Sequence, residues 1–124
     1  MSYITSLHGP TRGRWLAACG ALYAAAAVAL SAYATHAAQG EARSQLQTAA
    51  LFAFGHGIAL AALAPFTRDL LGRLALLAVW LGVLLFSGSV VGNVLAQWPA
   101  TLAPSGGTLL IAGWLLFAID LLRR

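Results

Sequence analysis

The chain has 124 residues and a mass of 12.8 kDa, with 60% hydrophobic residues and only 8% charged. A soluble domain carries about a quarter charged residues, and the ten found here (seven Arg, three acids, no Lys) are too few to cover a globule. The net charge of +4 would suggest nucleic acid in a soluble protein, but the arginines sit at the ends of apolar runs and form no patch interleaved with aromatics, which excludes that partner.

A bilayer-spanning helix takes roughly 20 apolar residues, and four such runs account for most of the sequence. Residues 1–14 form an N-terminal tail containing the breaker pair Gly9-Pro10, His8, Arg12 and Arg14. The first helix is predicted over about 15–35. Arg14, the stretch Leu16 to Leu30 and Ala32-Tyr33-Ala34 share features with a cleavable signal peptide, but the apolar run is as long as a span, which favours a retained helix. Leu16-Ala17-Ala18-Cys19 matches a lipoprotein box by residue type, yet no hydrophobic region precedes it. Cys19 is the sole cysteine, so no internal disulfide or thiolate cluster can form.

A polar stretch from His36 to Gln47 is expected as the first loop, and a second helix over 48–66, stopped by Pro65. Thr67 to Arg73 reads as a short basic loop. A third helix is predicted over 74–97, ended by Trp98-Pro99, and a fourth over 107–122, after the uncharged loop Ala100 to Gly106. Run length decides for helices, since a barrel strand needs only about 10 residues. The expected fold is an all-α membrane protein, a single compact bundle of four transmembrane helices spanning 15–124. Six arginines fall on the side of the termini and second loop, and one, Arg43, on the other. The positive-inside rule then places both termini in the cytoplasm, in a bacterial inner membrane or, alternatively, the mitochondrial inner membrane.

Close packing of helices in lipid relies on small residues along one stripe. Gly20, Ala24, Ala27, Ser31 and Thr35 align on the first helix, and Ala53, Gly57 and Ala61 on the second. Gly82, Phe86, Ser89, Asn93 and Gln97 share a face of the third, which also holds the G-x-x-x-G unit of Gly88 and Gly92. Gly106, Gly113 and Asp120 align on the fourth. Gly82, Gly88, Gly92 and Gly113 are the predicted packing positions.

Polar groups at depth cost a few kcal/mol unless partnered. His56 lies nine residues into the predicted second helix, about 13 Å below the outer surface, near midplane. Ser87 and Ser89 reach similar depth and could bond it, with Asn93 further out. His56 reads either as an interhelical tether or as a ligand- or proton-binding group. His36, at the outer end of the first helix, is about 13 Å away in depth, so the pair cannot flank one haem iron. Asp120 faces Arg123 and Arg124 three and four residues on, and Arg14 arrives at the same depth. A structural ion pair of Asp120 with Arg124 and Arg14 is expected. No nucleophile with a base, phosphate loop, paired carboxylate or metal spacing occurs, so neither an enzyme, a cofactor nor a metal is expected.

Leu85-Phe86-Ser87-Gly88-Ser89, then Ala103-Pro104-Ser105-Gly106-Gly107 leading to Gly113-Trp114, resemble the YgdD-like family of small inner-membrane proteins with mitochondrial relatives. Ser31-Ala32-Tyr33-Ala34-Thr35-His36 matches its Gly-Ala-x-x-Ala-His stretch loosely, and Phe52-Ala53-Phe54-Gly55-His56 its aromatic-rich segment ending in His. The resemblance covers about residues 15 to 120. Family members carry a longer first loop and a Tyr-Gln pair before the second His, where this chain has Phe52 and Ala53. The resemblance implies four membrane helices and brings no activity.

The leading expectation is an accessory or scaffolding subunit packing against itself or a larger membrane complex, with the lipid bilayer as its other partner. A small oligomeric transporter or proton/ion conductor using His56 is the alternative. A quinone or lipid binder, resting on Trp80, Trp98 and Trp114, is the third.

Overall fold

The computed structural model describes residues 13–124; the tail residues 1–12, with His8, Gly9, Pro10 and Arg12, lie outside the described residues. Four helices follow: α1 (Arg14–Ala37), α2 (Gly40–Leu63), α3 (Leu70–Ala96) and α4 (Ala103–Arg123), with a short 3-10 turn at Ala64–Phe66. All four are long and apolar enough to cross a membrane, and the described residues include no strand.

The helix order stands as expected, but every helix is longer than predicted. The largest correction concerns His36 to Gln47, expected as a loop. Only Ala38 and Gln39 join α1 to α2, and Gly40 turns the chain with a φ of 61°. Residues 40–47 form the first two turns of α2. Glu41, Ala42, Arg43, Gln45, Leu46 and Gln47 are polar on average but all good helix formers, and Gln45 donates to Glu41 at 3.3 Å one turn back. A search for apolar runs misses a helix that projects beyond its apolar zone.

Arg43, expected in that loop, instead closes α1. Its guanidinium donates to the carbonyls of Ala34 (3.2 Å), Thr35 (3.0 Å) and Ala38 (2.9 Å), which the helix end leaves without backbone partners. Positive charge at a helix C-terminus also opposes the helix dipole favourably.

Pro65, lacking an N–H, ends α2 in the 3-10 turn. The expected basic loop shrinks to Thr67, Arg68 and Asp69, and Arg73 falls in the first turn of α3. At its far end α3 stops with Gln97 in the left-handed region (φ 58°) and the Trp98 N–H on the Gly92 carbonyl at 3.1 Å. Pro104 sits in the first turn of α4, where a missing N–H costs nothing.

The helices pair as two hairpins, α1 with α2 and α3 with α4, and the hairpins meet chiefly through α2 and α3. That differs from an evenly closed bundle. Leu60, Leu76, Val79, Val83, Leu110 and Phe117 form the shared core. Specific contacts also join the hairpins: Ser87 donates to the Ala49 carbonyl (2.8 Å), Tyr23 to the Trp80 carbonyl (2.9 Å), and Trp15 meets Trp80 edge-on at 5.7 Å.

Candidate functional site

His56 lies seven residues before the end of α2, about 10 Å along the axis. It faces Trp114, one residue past the midpoint of α4. The extra turns at the start of α2 therefore leave His56 deep in the apolar zone. Its Nδ1 lies 2.7 Å from the Phe52 carbonyl oxygen. A carbonyl only accepts, so Nδ1 carries the proton and, in the uncharged ring, Nε2 is left as a bare acceptor.

Helical spacing of four stacks the Phe52 ring on the imidazole, with centroids 5.7 Å apart and planes 7° from parallel. Trp114 approaches from α4 at 5.8 Å and 49°, and Phe86 of α3 meets Phe52 at 4.8 Å. Trp114 is held from behind by Phe117 at 6.1 Å, edge-on. Three helices thus build an aromatic groove of about 520 Å³ around one imidazole.

The polar residues expected around His56 are not brought to it. Ser87 bonds the Ala49 carbonyl, and Ser89 is buried with its hydroxyl unpartnered. Asn93 donates to the Trp98 carbonyl at 2.8 Å, stitching the α3–α4 loop. His56 is accordingly no polar tether between helices, since its bond closes within α2. His36 lies elsewhere, with Thr35 and Gln47 at the rim of a cleft of about 650 Å³ between α1 and α2.

Asp120 is fully buried, and its Oδ2 accepts from Arg124 Nε (3.1 Å) and Nη2 (2.8 Å). Arg123 Nε stands 3.6 Å from Oδ1, and Arg124 also reaches Asp69 at 3.7 Å. The expected ion pair with Arg124 forms, but among the described residues Arg14 joins no ion pair. Arg14 opens α1, on the hairpin remote from α4; the second arginine beside Asp120 is Arg123, and Asp69, from the α2–α3 connection, pairs with Arg124. The carboxylate lies over Gly72, where a Cβ would come within 2.7 Å of Oδ2. Nothing in the sequence spacing marks Gly72 as the floor of that site.

Of the predicted packing glycines, Gly82 and Gly113 serve within the chain. A Cβ on Gly82 would stand 3.0 Å from the Gly106 carbonyl, and one on Gly113 3.0 Å from that of Ala75. Gly92 instead receives the Trp98 ring, and a Cβ on Gly88 would meet nothing within 4 Å. Gly88 faces outward, away from the packing inside this chain.

A model of a family described as a protein of unknown function (DUF423) matches residues 30–107, from the end of α1 to the start of α4. The chain belongs to the DUF423 family. The match takes in Phe52, His56, Phe86 and Gly107 of the groove, while Trp114 lies beyond it. As the resemblance in sequence implied, DUF423 brings no assigned activity. No curated protein and no solved structure matches this DUF423 chain.

Proposed function

We propose that this DUF423 protein is an accessory subunit of the bacterial inner membrane, with both termini cytoplasmic, which packs sideways against a larger membrane complex or another copy of itself. The observation that carries the reading is the outer face of α3. Leu81, Leu84, Gly88 and Leu95 are all exposed along one stripe, with the open glycine among leucines. An exposed glycine between large apolar residues offers the close backbone approach by which helices associate in lipid. The bonds of His56, Ser87 and Asn93 to backbone carbonyls support structural roles over a conducting row.

Blue-native electrophoresis of the tagged protein in mild detergent tests this. The wild type should migrate in a larger species. Gly88→Leu should release the monomer without lowering the unfolding midpoint, because a Cβ at this position meets nothing within 4 Å in its own fold and replacing glycine lowers the entropic cost of the helix. A monomeric wild type with no co-purifying protein would overturn the proposal.

A further inference from the structure

The groove around His56 has a chemistry of its own, independent of how α3 packs. Its volume of about 520 Å³ falls within the range of small-molecule sites, roughly 300–1,000 Å³. Phe52, Phe86 and Trp114 supply aromatic walls, and Gly107 leaves the groove unobstructed. The mouth opens sideways, flanked by Ile111 and Leu115 at 64% and 61% exposure. Only the imidazole and the Trp114 indole bring polar side-chain atoms to this lining.

Each property narrows the occupant. Aromatic walls on several sides favour a flat ring over an acyl chain, because offset and tilted ring pairs gain beyond area burial. A sideways mouth among apolar helices admits an alkyl tail into lipid. The bond from Nδ1 to the Phe52 carbonyl leaves Nε2 as an acceptor, so the ligand must bring a donor. A quinone carbonyl cannot donate to Nε2, where it would set acceptor against acceptor, and its one side-chain donor in this lining would be the Trp114 indole N–H. A cation would lose its hydration at midplane, where charge is costly.

We propose that the groove binds the ring of a tail-bearing phenol or hydroquinone, whose hydroxyl donates to His56 Nε2. The site thus selects the hydroxyl form of such a ligand over the oxidised carbonyl form. His56 is the specificity-determining residue, and Trp114 and Phe52 hold the ring.

The test titrates the full chain in lipid nanodiscs with a short-chain alkyl hydroquinone, its dimethyl ether and its quinone, followed by tryptophan fluorescence under anaerobic reducing conditions for the first two. The hydroquinone should bind about tenfold more tightly than either counterpart, equivalent to about 1.4 kcal/mol. His56→Phe keeps a ring and removes the acceptor, and should abolish that preference while retaining the weaker binding. Trp114→Leu should weaken all three ligands. Equal affinities, or a preference that survives His56→Phe, would overturn the proposal. Isotope-edited nitrogen NMR of a His8→Gln/His36→Gln protein gives a readout needing no change at His56. Nε2 should be unprotonated in the free protein and should shift with the hydroquinone but not with the ether. A protonated Nε2 in the uncharged ring, or no shift, sinks the idea.

Discussion

Arg43 and Ser87 show two uses of a single polar side chain, one exposed at a helix end and one buried between helices. Both answer backbone carbonyls, but the carbonyls differ. Those that Arg43 meets belong to the last turn of α1 and its C-cap residue Ala38 and have no helical donor, so the guanidinium is their partner. The Ala49 carbonyl under Ser87 lies inside α2, where the backbone already provides a bond. Arg43→Ala should therefore lower stability by about 1–2 kcal/mol, and Arg43→Lys should restore only part, because one ammonium cannot span three carbonyls. Ser87→Ala should cost about 0.6 kcal/mol, the usual worth of a hydrogen bond between membrane helices. Reversible unfolding in mixed detergent micelles measures all three, and a Ser87→Ala loss exceeding that of Arg43→Ala would contradict this ordering. The charge of Arg43 is legible in the sequence as an outer-side charge. Its partners are not, because they depend on a linker of two residues whose neighbours look like loop.

At the scale of the helix, glycine is the residue whose meaning depends most on its neighbours. Gly55 and Gly57 are two positions apart on α2 and point to different surroundings. A Cβ on Gly57 would stand 2.5 Å from the Gly20 carbonyl oxygen of α1, a backbone atom that can move only with its helix. The same atom on Gly55 meets nothing within 4 Å. Gly57→Ala should destabilise by about 1–3 kcal/mol through overpacking. Gly55→Ala should stabilise by about 0.5–1 kcal/mol, since alanine orders the helix at lower entropic cost. Opposite shifts of the unfolding midpoint are the expected result, and shifts of the same sign would show that the α1–α2 crossing is looser than described. Sequence stripes find Gly20, Gly57, Gly82 and Gly113 correctly, because helical phase is fixed by spacing. They do not show that Gly88 faces outward while its G-x-x-x-G partner Gly92 is covered by Trp98. Phase says which residues share a face; it does not say what lies opposite. The same limit applies to His56, whose neighbour Phe52 follows from a spacing of four, whereas Phe86 and Trp114 come from other helices.

Across the whole molecule, charge and connectivity give one argument about orientation. The two hairpins leave the α1–α2 and α3–α4 connections at one end, and the α2–α3 connection with the start of α1 and the end of α4 at the other. At that second end Asp69, Asp120, Arg123 and Arg124 form a linked ionic group, so part of the arginine count is tied into the fold. Arg68 remains exposed, and Arg43 at the opposite end is committed to α1. Neutralising the tied arginines by pairing does not weaken the insertion signal, because acids contribute little to it and basic residues are counted singly. The proposed orientation therefore predicts a labelling pattern in a Cys19→Ser background. Gln39→Cys and Ala100→Cys, both in exposed connections, should react with a membrane-impermeant maleimide added outside intact cells. Arg68→Cys should react only after the membrane is opened, and its removal still leaves five arginines to one. Labelling of Arg68→Cys alone in intact cells would invert the orientation. Labelling of all three would imply two orientations in one population, and the lateral packing proposed through α3 would then have to work for antiparallel neighbours.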